Sequence, residues 1–304
     1  MNIIFMGSPD FAIPSLEAIN NSHHTIKAVV SNVDKRRGRG AGKAPTPVKA
    51  KALELGLKVI EVEDLKSKEF EGQLSAEEAD LFVVVAFRVL PKSVLEIPKI
   101  GCINLHASLL PKYRGAAPIH WAVINGEEET GCTIFFLDEK VDTGNIILQK
   151  KIDIGIDDTT GDIYGKLMEE GSIQLLHAID MIEENSYQLK SQNDNEATPA
   201  PKLFNENTRI DFEQSSKKVH NLIRGLYPFP VAWTTLNGEK VKIYRSKIGP
   251  SINLASGQLK ESDGKLLAGC KEGTIEILEL QLPGKKRMNS TDFINGFELD
   301  NSFK

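Results

Sequence analysis

Residues 81–86, Leu-Phe-Val-Val-Val-Ala, and residues 101–107, Gly-Cys-Ile-Asn-Leu-His-Ala, decide how this chain folds. The first is an unbroken apolar run, the pattern of a strand buried on both faces of a parallel sheet. The second has a strand core at 103–105 and carries two polar side chains. Asn104 and His106 stand two residues apart, so strand alternation puts them on one face. The chain then enters a loop with Pro111 and Gly115. Polar side chains at the C-terminal end of a buried strand sit where open α/β sheets place their ligands. Taken alone, Asn-x-His is more simply a polar strand end with one satisfied core histidine.

Outward from these strands, the pattern alternates. Residues 2–6 and 27–30 read as strands, 11–20 and 47–55 as helices, the second beginning at a proline. Residues 59–60 form a short strand, and 133–137 and 146–149 two more. A long helix covers 158–184, with Ile163, Leu167, Ile173, Leu176 and Ile179 along it. This order predicts a Rossmann-like α/β domain with an open, mainly parallel sheet over 1–185. The polar stretch 186–204, with Pro199 and Pro201, reads as a linker. Beyond it, residues 205–304 change character. A helix over 215–226 precedes two apolar runs flanking Asn237-Gly238, a strong hairpin signal. Further short strands at 266–268 and 274–280 complete the pattern of a small β-barrel.

A length of 304 residues suits two domains better than one core. Hydrophobic residues at 40% and charged residues at 26% fit a globular protein, and no apolar run approaches the roughly 20 residues that span a bilayer. The start does not read as a signal peptide. Cys102, Cys132 and Cys270 are widely spaced, which predicts a reducing cytoplasm, and Cys102 and Cys132 lie in apolar strands as packing residues. Charge is uneven: residues 205–304 carry 15 Lys/Arg against 12 Asp/Glu, the rest 22 against 30. Seven Lys/Arg and no acid fall between Lys35 and Lys51. The opening Gly7-Ser8-Pro9 lacks the G-x-G-x-x-G dinucleotide fingerprint, and Ala44 occupies the Ser/Thr place of a Walker sequence. His23-His24 reads as a solvated turn without neighbouring ligands, so no metal is expected.

The run HASLLPKYRGAAPIHWAVINGE from His106, followed by VDTG at 141–144, resembles the folate-dependent formyltransferases. NIIFMGSPDFAIPSLEAI at the start, the stretch from 38 to 49, LYPFPVAW at 226–233 and GKK at 284–286 extend the resemblance over nearly all 304 residues. One departure is Ala86-Phe87-Arg88, where the family pattern leads us to expect a Tyr-Gly pair. The resemblance implies an OB-like barrel at 205–304. It also implies transfer of a formyl group from 10-formyltetrahydrofolate, a co-substrate, to the α-amino group of initiator methionyl-tRNA.

Formyl transfer between nitrogens passes through a tetrahedral carbon bearing an oxyanion. It calls for an oxyanion donor, a proton carrier and an electrostatic partner. Asn104 can donate its amide hydrogens, His106 can donate or carry a proton, and Asp142 can stabilise an imidazolium or relay a proton through water. The resemblance assigns the catalytic roles to these three residues. It assigns folate contacts to Ser108, Leu109, Leu110 and Pro111; Arg88, Val89 and Leu90, at the end of another buried strand, can supply a further wall. An ordinary loop whose leucines enter the core is the alternative for 108–111. It assigns tRNA contacts, mostly to phosphates, to Arg36, Arg37, Arg39 and Lys43; a solvated basic face is the alternative. A monomer is expected. Two other functions stay open: a formyltransferase for a small amine, such as an amino-sugar nucleotide or glycinamide ribonucleotide, and an RNA-binding protein built on a formyltransferase fold. The intact Asn104, His106 and Asp142 argue against the second.

Overall fold

The computed structural model describes residues 1–36, 43–297 and 302–304, with the backbone alone at Lys35 and Arg36. The chain forms two compact units. One comprises Met1–Gly115, Gly131–Ile152 and Tyr164–Pro199; the other comprises Ala116–Thr130, Asp153–Ile163 and Ala200–Lys304.

The strands up to residue 153 are β1 (Asn2–Gly7), β2 (Thr25–Asn32), β3 (Lys35–Arg36), β4 (Lys43–Ala44), β5 (Val59–Val62), β6 (Leu81–Val85), β7 (Gly101–His106), β8 (Arg114–Gly115), β9 (Glu129–Phe136) and β10 (Ile146–Asp153). Seven make one sheet in the order β10-β9-β7-β6-β1-β2-β5. β5, β2, β1, β6 and β7 run parallel, and β9 lies antiparallel to β7. The expected mainly parallel sheet is therefore present. The chain builds outward from β1 to β2 and β5, then returns to place β6 on the other side of β1. That reversal is the topological switch point at which such sheets bind ligands.

Every residue of β6 is buried, as its apolar run requires. Met6, Val84 and Asn104 stand level across β1, β6 and β7. The same sheet face carries Ile4, Phe82 and Cys102 in a cluster with Phe70, Leu74 and Val94. Those three belong to helices α3 (Lys68–Ser75) and α4 (Lys92–Leu95), which follow α1 (Ile13–Asn20) and α2 (Pro47–Glu54). Each such burial contributes roughly 1.5–3 kcal/mol. The helix expected from residue 11 begins at Ile13, after a 3-10 turn at Asp10–Ala12, with Pro14 in its first turn. Thr46 caps α2 by accepting the Lys49 N–H, worth about 1 kcal/mol. β10 runs four residues beyond the apolar stretch that announced it. As an edge strand it can carry Lys150, Lys151 and Asp153 toward water.

Helices α5 (Pro118–Ile124) and α6 (Thr160–Glu183) follow, then β11 (Pro199–Ala200) and α7 (Ser216–Gly225). The remaining elements are β12 (Ala232–Leu236), β13 (Glu239–Ile248), β14 (Leu259–Ser262), β15 (Lys265–Gly269), β16 (Thr274–Gln281), β17 (Met288–Asn289) and α8 (Ser290–Gly296). The second unit holds an antiparallel sheet in the order β12-β13-β16-β15-β14. Asn237 and Gly238, both at positive φ, make the tight turn between β12 and β13 that their sequence announces. Phe303 bridges to Leu236 on one edge strand and Ser302 to Gln258 beside the other, so the chain's last residues tie the two edges together. Val219, Ile223, Val241, Ile243, Ile275, Ile277 and Phe293 fill the interior. No helix among the described residues is long and apolar enough to cross a membrane.

Candidate active site

Asn104 and His106 end β7 on the sheet face of Cys102, and both lie beside β6 near the switch point. Leu105 points the other way, against Gly171 of α6, where a Cβ would stand 3.0 Å from one of its methyl carbons. His106 is 7% exposed, so its ring is held by protein rather than water. Its Nε2 lies 2.8 Å from the Tyr113 carbonyl, which can only accept a hydrogen bond. The neutral ring is thereby fixed with its proton on Nε2 and its lone pair on Nδ1. Nδ1 faces Asp142, with Oδ2 at 3.8 Å. The structure thus brings His106 and Asp142 together and leaves Nδ1 as the atom able to take a proton.

Asp142 is held from several sides. Its Oδ2 accepts the Gly115 N–H at 2.8 Å. Its backbone has φ 56°, and Tyr113 has φ 61°. Left-handed conformations at such residues cost of order 1–3 kcal/mol each and concentrate at functional sites. Thr143 Oγ1 donates to Asp138, and Gly144 passes so close to Phe136 O that a Cβ would stand 1.7 Å from it. Gln192 Nε2 donates to the carbonyls of both Asp142 and Gly144, at 3.0 and 2.8 Å. Gln192 Oε1 accepts from Arg114 Nε and Nη2, and Arg114 Nη1 pairs with Asp194 at 2.8 Å. Sequence reading missed this clamp, because Gln192 falls in a polar stretch that resembles a linker. Gln192→Ala leaves two carbonyls of a strained turn without their donor. We expect kcat to fall about tenfold or more with KM for either substrate little changed, since the loss is one of aim. Steady-state kinetics check it; an unchanged kcat removes Gln192 from the positioning set.

The 108–111 loop is rigidly built. Ser108 donates to Lys112 O, Thr133 Oγ1 donates to Ser108 O, and Gln149 Nε2 donates to Leu110 O. Leu110 packs with Phe135 and Ile146, and Leu109 lies against Gly131. Both leucines are taken up in packing, and Pro111 follows a cis peptide bond. Beyond β6, Ala86 has φ 48°. Arg88 donates to the carbonyls of Val62 and Glu63, yet its buried Nε has no hydrogen-bond partner among the described residues. Burial lowers its pKa. Leu90 belongs to the core cluster, while Val89 is 68% exposed.

Of the basic stretch, Arg37 and Arg39 lie outside the described residues. The backbones of Arg36 and Lys43 pair in the β3–β4 hairpin, and Lys43 is exposed. Lys49 and Lys51 are engaged with Asp34 and Glu61, and with Glu17 and Glu54. Burial raises Cys102 to about 12 and Cys132 to about 11, so neither supplies a thiolate near neutral pH.

Residues 1–179 match the family model described as formyl transferase, and residues 202–298 the one described as formyl transferase, C-terminal domain. The chain belongs to the formyl transferase family. Within it, the chain is 45% identical to the methionyl-tRNA formyltransferase of Chlorobium limicola, over 99% of its own length and 98% of the relative's. It is 42% identical to that of Bacteroides fragilis, over 100% and 97%. Among solved structures, the N-formyltransferase from Helicobacter canadensis, in complex with folinic acid and dTDP-3-aminofucose, is 25% identical. It superposes with a TM-score of 0.68 over 90% of this chain and 98% of its own.

Proposed function

We propose that this formyl transferase moves the formyl group of 10-formyltetrahydrofolate to the α-amino group of initiator methionyl-tRNA, in the cytoplasm. The observation that carries the reading is the fixed His106 tautomer facing Asp142 beside Asn104, in a chain alike over its whole length to methionyl-tRNA formyltransferases. The formyl donor supplies an activated acyl carbon. Asn104 donates its amide hydrogens to the oxygen that becomes an oxyanion. Asp142 draws positive charge to the attacking nitrogen, and His106 takes its proton at Nδ1 and returns it to the leaving nitrogen. The Nε of Arg88, without a hydrogen-bond partner among the described residues, is the donor we assign to the folate beside the end of β6. The backbone of 108–111 supplies the opposite wall.

The second unit supports a nucleic-acid acceptor. A groove of about 460 Å³ is lined by Lys202, Phe204, Phe229, Trp233, Lys240 and Lys242. Phe229 is 78% and Phe204 58% exposed. Lys240 Nζ sits 4.1 Å from the Trp233 ring centroid, and Arg209 lies over the same ring. Cations interleaved with exposed rings suit phosphates and unstacked bases. With Arg36, Arg37, Arg39 and Lys43 they make the proposed tRNA contacts.

The test offers the enzyme 10-formyltetrahydrofolate with charged initiator tRNA, free methionine or an amino-sugar nucleotide. Formylation of the charged tRNA alone is expected; preference for the sugar nucleotide overturns the reading. Lys240→Ala with Lys242→Ala should raise KM for tRNA about tenfold and flatten its logarithmic salt dependence by about 2, with turnover of bound tRNA kept. Arg36, Arg37 and Arg39 changed together to Ala should act likewise. Parental KM and salt slope in both variants would remove these surfaces from tRNA binding.

A further inference from the structure

His23 and His24 were expected to form a solvated turn without neighbouring ligands. Instead they meet Asp180 and Glu183, which stand three residues apart on the last turns of α6. The His24 side chain is fully buried, and the two carboxylate side chains are 37% and 36% exposed. One ligand atom from each residue lies within 4.8 Å of all the others. His23 Nε2 is 2.6 Å from Glu183 Oε2 and 4.0 Å from Asp180 Oδ1. His24 Nε2 is 3.0 Å from Asp180 Oδ1. Four ligands at about 2.1 Å from a tetrahedral zinc ion are about 3.4 Å apart, in the middle of this spread.

Neighbouring residues in extended chain point apart, but these two imidazoles converge, with ring centroids 4.0 Å apart. Charge is unbalanced as well. The N-terminal amine of Met1 donates to Glu183 Oε1 at 2.7 Å. Two carboxylates thus face one amine, leaving negative charge for a cation.

We propose that His23, His24, Asp180 and Glu183 bind one divalent transition-metal ion, with zinc the best match to two imidazoles and two carboxylates. Without metal, the Met1 amine donates to His24 Nδ1 at 3.2 Å and the ring donates from Nε2 to Asp180; binding at Nε2 moves the ring proton to Nδ1, toward Glu183 Oε2 at 3.7 Å, so the amine gives up Nδ1 and keeps Glu183 Oε1. The site precedes β2, at the opposite end of the parallel strands from Asn104 and His106. A metal there joins the α1–β2 turn to α6 and takes no part in formyl transfer.

The test uses tag-free, full-length protein stripped with a chelator and titrated with Co²⁺ and Zn²⁺. One equivalent of Co²⁺ should give the intense visible absorption of a four-coordinate centre, bleached by Zn²⁺. Zn²⁺ should raise the Tm by several degrees, and Mg²⁺ should do neither. His23→Gln and Asp180→Asn, at partly exposed positions, should weaken Co²⁺ binding at least tenfold, while the exposed control His177→Gln should not. Parental folding by circular dichroism validates each variant. Absence of stoichiometric uptake, or the same spectrum and affinity in both ligand variants, overturns the site.

Discussion

Asn104→Ala lowers kcat for formyl transfer by about 100- to 1,000-fold, the usual cost of removing one oxyanion donor, while KM for both substrates changes little. The expectation follows from position. Asn104 is paired with Val84 of β6 on one side and Phe135 of β9 on the other, so its backbone cannot shift to compensate. It is a neutral donor, which gains most from the negative charge that forms only in the transition state. Truncation removes no core packing, since Asn104 is only partly buried, and the Tm should move by no more than a few degrees. Single-turnover kinetics with formyl donor and charged tRNA provide the measurement. Turnover within threefold of the parent would take the oxyanion role from Asn104.

Gly144→Ala is expected to cost about 100-fold in kcat without touching any reacting group. The added Cβ would lie 1.7 Å from Phe136 O and 2.9 Å from its carbonyl carbon, both backbone atoms of β9. Neither can withdraw without disturbing the sheet, so the 142–144 turn must move by an ångström or more. Asp142 moves with it, because Gln192 binds the carbonyls of both residues. A displacement of that size at a positioned group costs on the order of 100-fold. The control is Gly72→Ala, on α3, where a Cβ meets nothing within 4 Å, which should keep full activity. Parental turnover for Gly144→Ala would show that Asp142 tolerates displacement.

What the sequence disclosed, it disclosed through local pattern. The apolar run 81–86 announced β6, Asn237-Gly238 announced its hairpin, and alternation put Asn104 and His106 on one face. Helices α3 and α5 escaped notice for physical reasons. α3 has only Phe70 and Leu74 buried among polar residues, and α5 begins at Pro118 in a run whose chemistry drew the eye. The supports of the site were illegible because they depend on distance in sequence. Gln192 reaches Asp142 across 50 residues, and His24 reaches Asp180 across 156. No periodicity encodes such pairings. The role of Tyr113 in choosing the imidazole tautomer was equally hidden, because it belongs to a carbonyl that every residue type possesses.

The second compact unit is assembled from three separate lengths of chain, and that limits how it can be inherited or exchanged. Ile124 of α5 packs against its core and closes on Gly225 of α7. Arg224 donates to the carbonyls of Gly155 and Asp158, and Thr160 donates to that of Gly225. A cut at residue 200 parts these contacts, leaving an apolar face and a buried guanidinium without their complements. Recombination between relatives therefore has to carry 116–130, 153–163 and 200–304 together. The fragment beyond 200 is no free-standing cassette.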